Sequence, residues 1–200
     1  MKKSVGALLL GASVCLGSLV GCEPGGVGDP CLPEDEFSQK FGGYSAGEVA
    51  LETRSFQCET RICLVDHFQG RVSCPYGQSQ ADLSKPGTDP SRCRVPDTNG
   101  QLDQDQIAVP VPAWRTDRPA RDAVFCSCRC DGPDPTADYC DCPDGFVCQQ
   151  LTDDYGLDNQ RRLLGSYCAR QRDFRPNDAA SSCDKDPGAE NCPAPKGVNP

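Results

Sequence analysis

CSCRCDGPDPTADYCDCPDGFVC, residues 126–148, places six cysteines in one short acidic stretch. Thiols this dense are either a metal cage or a set of disulfide staples, and the fold follows from which. Zinc sites favour C-x2-C pairs, often with histidine. The chain has no C-x2-C pair, and its single histidine, His67, lies about sixty residues from the stretch. The C-x-C spacings at 126/128/130 and 140/142 still leave a thiolate cluster as the rival, so the redox compartment must decide.

The compartment is written in the first residues, MKKSVGALLLGASVCLGSLVGC. Lys2 and Lys3 form a short positive region, an apolar stretch interrupted by Gly and Ser runs from Val5 to Val20, and small residues precede Cys22. That is the layout of an export signal, and the run is too short and too rich in Gly and Ser for a permanent spanning helix. Leu19-Val20-Gly21-Cys22 resembles the bacterial lipobox in all four positions, directly after the apolar run. An ordinary signal peptide with a coincidental cysteine is the alternative. The resemblance implies cleavage before Cys22 and a mature chain whose Cys22 carries a thioether-linked diacylglyceryl group, usually with an N-acyl chain. Two or more acyl chains anchor a protein stably where one does not. By the sorting rule of enteric bacteria, Glu23 in place of Asp after the lipidated cysteine implies outer-membrane delivery.

Export makes disulfides the expected state. Of 16 cysteines, Cys15 leaves with the leader and Cys22 is taken by lipid. The remainder are Cys31, Cys58, Cys63, Cys74, Cys93, Cys126, Cys128, Cys130, Cys140, Cys142, Cys148, Cys168, Cys183 and Cys192, an even set that allows complete pairing. Five fall in a first group (31–93), seven in a second (126–168) and two in the tail. Both main groups are odd, so complete pairing sends at least one bridge out of each, either joining them directly or running to the tail, and the body reads as one cross-linked unit and not two beads. In a flat strand Cys126, Cys128 and Cys130 would share one face about 6–7 Å apart, near the limit for bonding one another, which points to three different partners.

Composition agrees. One Trp, five Tyr and seven Phe are few for a core, while 18 prolines and 20 glycines interrupt long helices and strands. Such a chain buries little apolar surface, and staples are the usual remedy. The formal charge of −9 becomes two units more negative once Lys2 and Lys3 are removed. This excludes the basic faces of nucleic-acid binders.

The expected organisation is a signal peptide over 1–21, a Gly/Pro tether over 22–30 (from Glu23, EPGGVGDP), a disulfide-rich body over 31–172 and a polar, Pro-rich tail over 173–200. The fold class is small and disulfide-rich, mainly β and irregular, with short β-hairpins, little helix and a disordered C-terminal tail. Ile62 to Phe68 and Arg71 to Cys74 read as hairpin strands around a turn at Gln69-Gly70. Trp114, after IAVPVPAW in the proline-spaced bridge 97–120, reads as a core plug on an extended crossing segment.

Several short patterns look like sites of chemistry. Gly43-Tyr44-Ser45-Ala46-Gly47 fits the G-x-S-x-G elbow of α/β-hydrolases, but PEDEFSQKFG before it is no buried strand and His67 simply adjoins Asp66. It reads as a Gly-rich turn. His67 reads as a strand residue without a placed partner. Asp97, Asn99, Asp103 and Asp105 offer hard oxygens in a Gly-containing loop, as do Asp131, Asp134, Asp138, Asp141 and Asp144. Both are weak calcium candidates: in the first, the EF-hand order fails because Gly100 comes early and the twelfth position lacks Glu. No catalytic residue and no cofactor is assigned beyond that calcium option.

Cys140-Asp-Cys142-Pro-Asp-Gly145-Phe146 resembles the end of an EGF-like module, C-x-C-x2-G-[FY]. Cys148 then follows at once, where that family has a longer loop, so the resemblance implies only a tight disulfide-framed turn. The lipobox, the acidic Cys-rich body and runs such as CLPEDEF, SFQCETRICLVDHFQGRVSCPYGQ and FCSCRCDG resemble the Cys-rich surface lipoproteins of gliding myxobacteria. Some of these are associated with the adventurous gliding motility and adhesion machinery. The resemblance implies a non-enzymatic outer-membrane lipoprotein, on its periplasmic or cell-surface face, that meets an envelope protein or surface polysaccharide. A Cys-rich inhibitor or a carbohydrate- or protein-binding domain at the cell surface is the alternative.

Overall fold

The computed structural model describes residues 23–89, 91–96, 105–151, 164–171 and 180–194. The expected signal peptide and Cys22 lie outside the described residues, as do Asp97, Asn99 and Asp103. Two small antiparallel sheets carry the body. The first orders β1 (Val49–Glu52), β2 (Ile62–Asp66) and β3 (Val124–Ser127), with β2 in the middle. The sequence ICLVD explains that place: Cys63 to Asp66 are all buried, and Val and Ile suit a strand that is paired on both edges. Leu64 stands opposite Leu51 on one side and Phe125 on the other. The second sheet orders β4 (Arg129–Asp131), β6 (Ser166–Arg170) and β5 (Phe146–Gln150). Cys128 is the corner between the sheets: its carbonyl accepts the Cys168 N–H at 3.0 Å while Ser127 Oγ donates to Cys168 O at 2.8 Å.

Among the described residues helix is limited to one turn, α1 (Ala120–Ala123), and two 3-10 turns, Glu34–Phe37 and Asp82–Ser84. No helix among the described residues is long and apolar enough to cross a membrane. The fold is thus mainly short antiparallel strands joined by irregular chain, cross-linked by seven disulfides.

The pairing obeys the parity argument. Cys31–Cys63 and Cys74–Cys93 close within the first group, and Cys128–Cys140, Cys130–Cys148 and Cys142–Cys168 within the second. Cys58–Cys126 joins the two, and Cys183–Cys192 closes a small loop in the tail. Cys126, Cys128 and Cys130 do reach three different partners.

Two apolar clusters fill the space that the sheets leave. The larger includes Val65, Phe68, Trp114, Val124 and three disulfide-bonded cysteines of the first sheet's neighbourhood, Cys31, Cys63 and Cys126. Trp114 is its plug, edge-on to Phe68 at 5.6 Å, with its indole N–H donating to Arg71 O at 2.6 Å. The smaller gathers Cys74, Cys93, Val95, Ile107 and Val111 around buried Gln78, whose amide donates to Ile107 O and Val109 O and accepts from Cys93 N–H.

Two expectations are corrected, the partner of the second hairpin strand and the free tether. Arg71 to Cys74 does not pair with β2; it forms a tight turn closed on itself, with the Cys74 N–H donating to Arg71 O, and β2 takes β1 and β3 as partners instead. The strand ends because His67 turns left-handed at φ 52° and Gly70 at φ 93°, and Gly70 pairs with Tyr44. The tether is docked from Gly25 onward. Gly25 N–H donates to Gln57 O, Glu59 N–H to Gly25 O, Gly28 N–H to Cys126 O and Cys126 N–H to Asp29 O, all at 2.7–2.9 Å. Glycine serves close approach here: a Cβ on Gly28, at φ 98°, would stand 2.9 Å from the Phe146 ring. Within the tail, residues 180–194 are docked as well. Cys183 is fully buried, its N–H donates to Trp114 O, and Tyr76 donates to Pro193 O. Residues 172–179 and 195–200 lie outside the described residues.

Candidate functional site

A concavity among the described residues lies beside β1. Ala50, Leu51 and Val65 make an apolar floor with Cys63 of the Cys31–Cys63 bridge, Tyr44 and Pro33 stand as walls, and Glu34, Asp35 and Glu52 supply carboxylates. Its volume is about 210 Å³. Glu34 and Asp35 come from the 3-10 turn that follows Pro33, a residue that cannot continue a strand's hydrogen bonding and starts the turn with extended backbone, and Glu52 from the end of β1.

The carboxylates are held. Glu52 Oε2 accepts the Glu34 N–H at 3.0 Å, and the Tyr44 hydroxyl donates to Asp35 Oδ2 at 3.2 Å. Burial pushes the Glu52 carboxyl above the usual glutamate range, and the neighbouring Glu34 and Asp35 charges add to it. Burial first, then the Asp35 carboxylate, raises the Tyr44 phenol, so it stays a protonated donor. An apolar floor with acidic rims suits a basic side chain or amine, whose alkyl part lies on the floor while its charge meets the rim.

The sequence singled out Ser45 in this region, yet Tyr44 is the residue that lines the cleft. Ser45 is exposed in a turn just before β1, with its Oγ accepting Gly47 N–H at 3.3 Å and its carbonyl accepting Glu48 N–H. A strand follows, where a nucleophile elbow needs a helix. His67 Nδ1 lies 3.1 Å from Ala46 O, and its Nε2 4.0 Å from Asp66 Oδ1; it sits just past the end of β2, not within the strand as expected. Asp66 itself is bonded to Arg118.

Among the described residues, no group of calcium candidates lies close enough to share an ion. Asp105 is buried with its carbonyl accepting Val95 N–H, while Asp97, Asn99 and Asp103 lie outside the described residues. Asp131, Asp134, Asp138, Asp141 and Asp144 are all exposed. Asp131 binds the adjacent Gly132 N–H, and Asp134 is spent on Thr136 N–H and Oγ1, bonds that hold its carboxyl below the usual aspartate range. Among the described residues the only sets close enough to share an ion are cysteine triads, Cys31/Cys58/Cys126, Cys128/Cys140/Cys168 and Cys130/Cys142/Cys168, and all of these sulfurs are in disulfides.

The stretch 126–148 is therefore a knot. Cys168 Sγ lies 3.5 Å from Cys128 Sγ and 3.7 Å from Cys140 Sγ, so two bridges stack across the corner of the sheets. The turn at Pro143–Phe146 is closed by the Phe146 N–H on Pro143 O, with Gly145 at φ 85°. Fold and cleft together define a small disulfide-stapled β module with an acidic recess. No family model, curated protein or solved structure matches this chain.

Proposed function

We propose that the chain is a non-enzymatic, lipid-anchored lipoprotein of the bacterial outer membrane, whose cross-linked body is an interaction module for an envelope protein or surface polysaccharide. The observation that carries this reading is the cysteine count. Seven bridges consume every cysteine from Cys31 onward, so no described cysteine remains for Cys22, which stands at the lipobox position. Disulfides in such number persist in oxidising compartments, in agreement with export. The resemblance of the Cys-rich runs to myxobacterial surface lipoproteins supports adhesion or gliding motility as the role to examine first. The acidic recess supplies the recognition surface, and its partner presents a basic side chain or amine.

Labelled palmitate in intact cells tests the anchor. The wild-type protein takes up label and fractionates with membranes, and Cys22→Ala does neither. A wild-type protein without label, or a Cys22→Ala protein that stays equally bound, contradicts the anchor. Crosslinking in intact cells then identifies the partner, and Glu34→Gln/Glu52→Gln lowers its capture if the recess is the contact. Undiminished capture by that variant removes the recess from the account.

A further inference from the structure

We propose that the end of the body formed by residues 23–30 and 54–61 lies directly on a phospholipid bilayer, with the Phe56 ring seated at the boundary of headgroups and acyl chains. This inference rests on the lipid-anchored reading and adds an orientation to it. The first reason is reach. The chain is gripped from Gly25 by the 57–59 segment, through Gly25 N–H on Gln57 O at 2.7 Å and Glu59 N–H on Gly25 O at 2.9 Å. Only Glu23 and Pro24 separate Gly25 from Cys22, and three extended residues span at most about 10 Å. An anchored body cannot rise further than that, and the side that meets the bilayer is the one from which the chain leaves.

The second reason is what that side displays. Phe56 adjoins Gln57 and is 80% exposed, in a chain with few aromatic residues. The other large exposed hydrophobic residue among those described is Phe37, at 49%. Arg61 lays its guanidinium over the Phe56 ring at 4.4 Å, and it does so from left-handed backbone, φ 66°, unfavourable for a residue with a side chain. Arg54 is exposed two residues before Phe56.

The third reason is charge. The anchored chain, without Lys2 and Lys3, is two units more negative than the −9 of the full sequence, and anionic lipid repels it as a whole. At this end the two cations Arg54 and Arg61 stand against the three carboxylates Glu23, Asp29 and Glu59, close to balance, and the Asp29 carboxylate is turned back onto Gly26 N–H at 2.8 Å. An aromatic ring flanked by guanidinium groups fits the bilayer interface, with the ring among acyl carbons and the cations on phosphates.

The test uses the full, lipidated protein reconstituted in vesicles of phosphatidylethanolamine and phosphatidylglycerol with brominated acyl chains. Phe56→Trp and Phe37→Trp report on the two exposed rings, against the buried Trp114 of the wild type as background. After subtraction of that background, quenching of Phe56→Trp exceeds that of Phe37→Trp at least about two-fold if the ring lies at the boundary. Equal quenching, or stronger quenching of Phe37→Trp, in protein that floats with the vesicles overturns the orientation and leaves the anchor standing. Protein that does not float, and whose N-terminal peptide lacks the acyl mass, overturns both.

Discussion

Arg71 has no exposed side-chain surface, and each of its nitrogens is used. Its Nε meets Glu36 Oε2 at 3.4 Å, Nη1 donates to Ser38 O and Phe41 O at 2.9 and 2.8 Å, and Nη2 donates to Glu36 O. Glu36 in turn accepts from Val72 N–H, Ser73 N–H and Ser73 Oγ. Two chain segments that the sequence does not visibly connect are thus held by one buried ion pair. Removing one partner strands the other, so Arg71→Met is expected to lower stability by about 3–5 kcal/mol, measured as a shift in the urea midpoint of the oxidised protein. A change under about 1 kcal/mol would show that the pair is not closed in solution. Glu52 gives the opposite kind of prediction. Its folded carboxyl titrates above the ordinary glutamate value of 4.5, so the folded state binds the extra proton. Its contribution is fully present below that ordinary value and is lost as pH rises through the raised one. Glu52→Gln therefore flattens the fall in stability between weakly acidic and neutral pH, read from thermal midpoints across that range; an unchanged profile would contradict the assignment.

The elements are tied by bridges of unequal reach. Cys58–Cys126 spans 68 residues and joins the segment before β2 to β3, whereas Cys183–Cys192 spans 9. In the chain-entropy account the long bridge contributes about 4 kcal/mol and the short one about 3, before native strain. Cys58→Ala/Cys126→Ala is accordingly expected to destabilise more than Cys183→Ala/Cys192→Ala, and also to release the docked 25–30 segment, since Gly28 and Asp29 bond to Cys126 backbone. Proteolysis near residue 28 in the first variant alone checks this, and equal resistance of both variants would oppose it. That at least one bridge must leave each main group, to the other group or to the tail, was legible from odd parity, because counting needs no geometry; that it joins the groups directly is shown by Cys58–Cys126. The hairpin at 62–74 was misread because β-branched residues and a Gly-containing turn mark strands without marking partners. Here β1, sixty-odd residues distant β3 and the Arg71–Glu36 pair decide the pairing. Glycines at 25, 26 and 28 were misread for a related reason: a loose linker and a closely docked backbone both require them. The acidic recess was legible only as the charge run Glu34 to Glu36, with nothing in the spacing to bring Tyr44 and Glu52 beside it.

At the scale of the molecule, few aromatics, many prolines and a strong negative charge make a poor core, and the seven bridges supply what burial does not. The same bridges turn a loop-rich chain into a rigid support for its recess and for the exposed Phe56 end. Rigidity of this kind serves recognition, because little ordering remains to be done on binding. In the proposed reading the body is held through Cys22. The most direct measurement is mass spectrometry of the membrane-purified protein, denatured and alkylated without reduction. The expected result is an N-terminus at Cys22 carrying a diacylglyceryl group, with no alkylated cysteine anywhere from Cys31 to Cys192. An unmodified N-terminus, or alkylation at several of those cysteines, would contradict it.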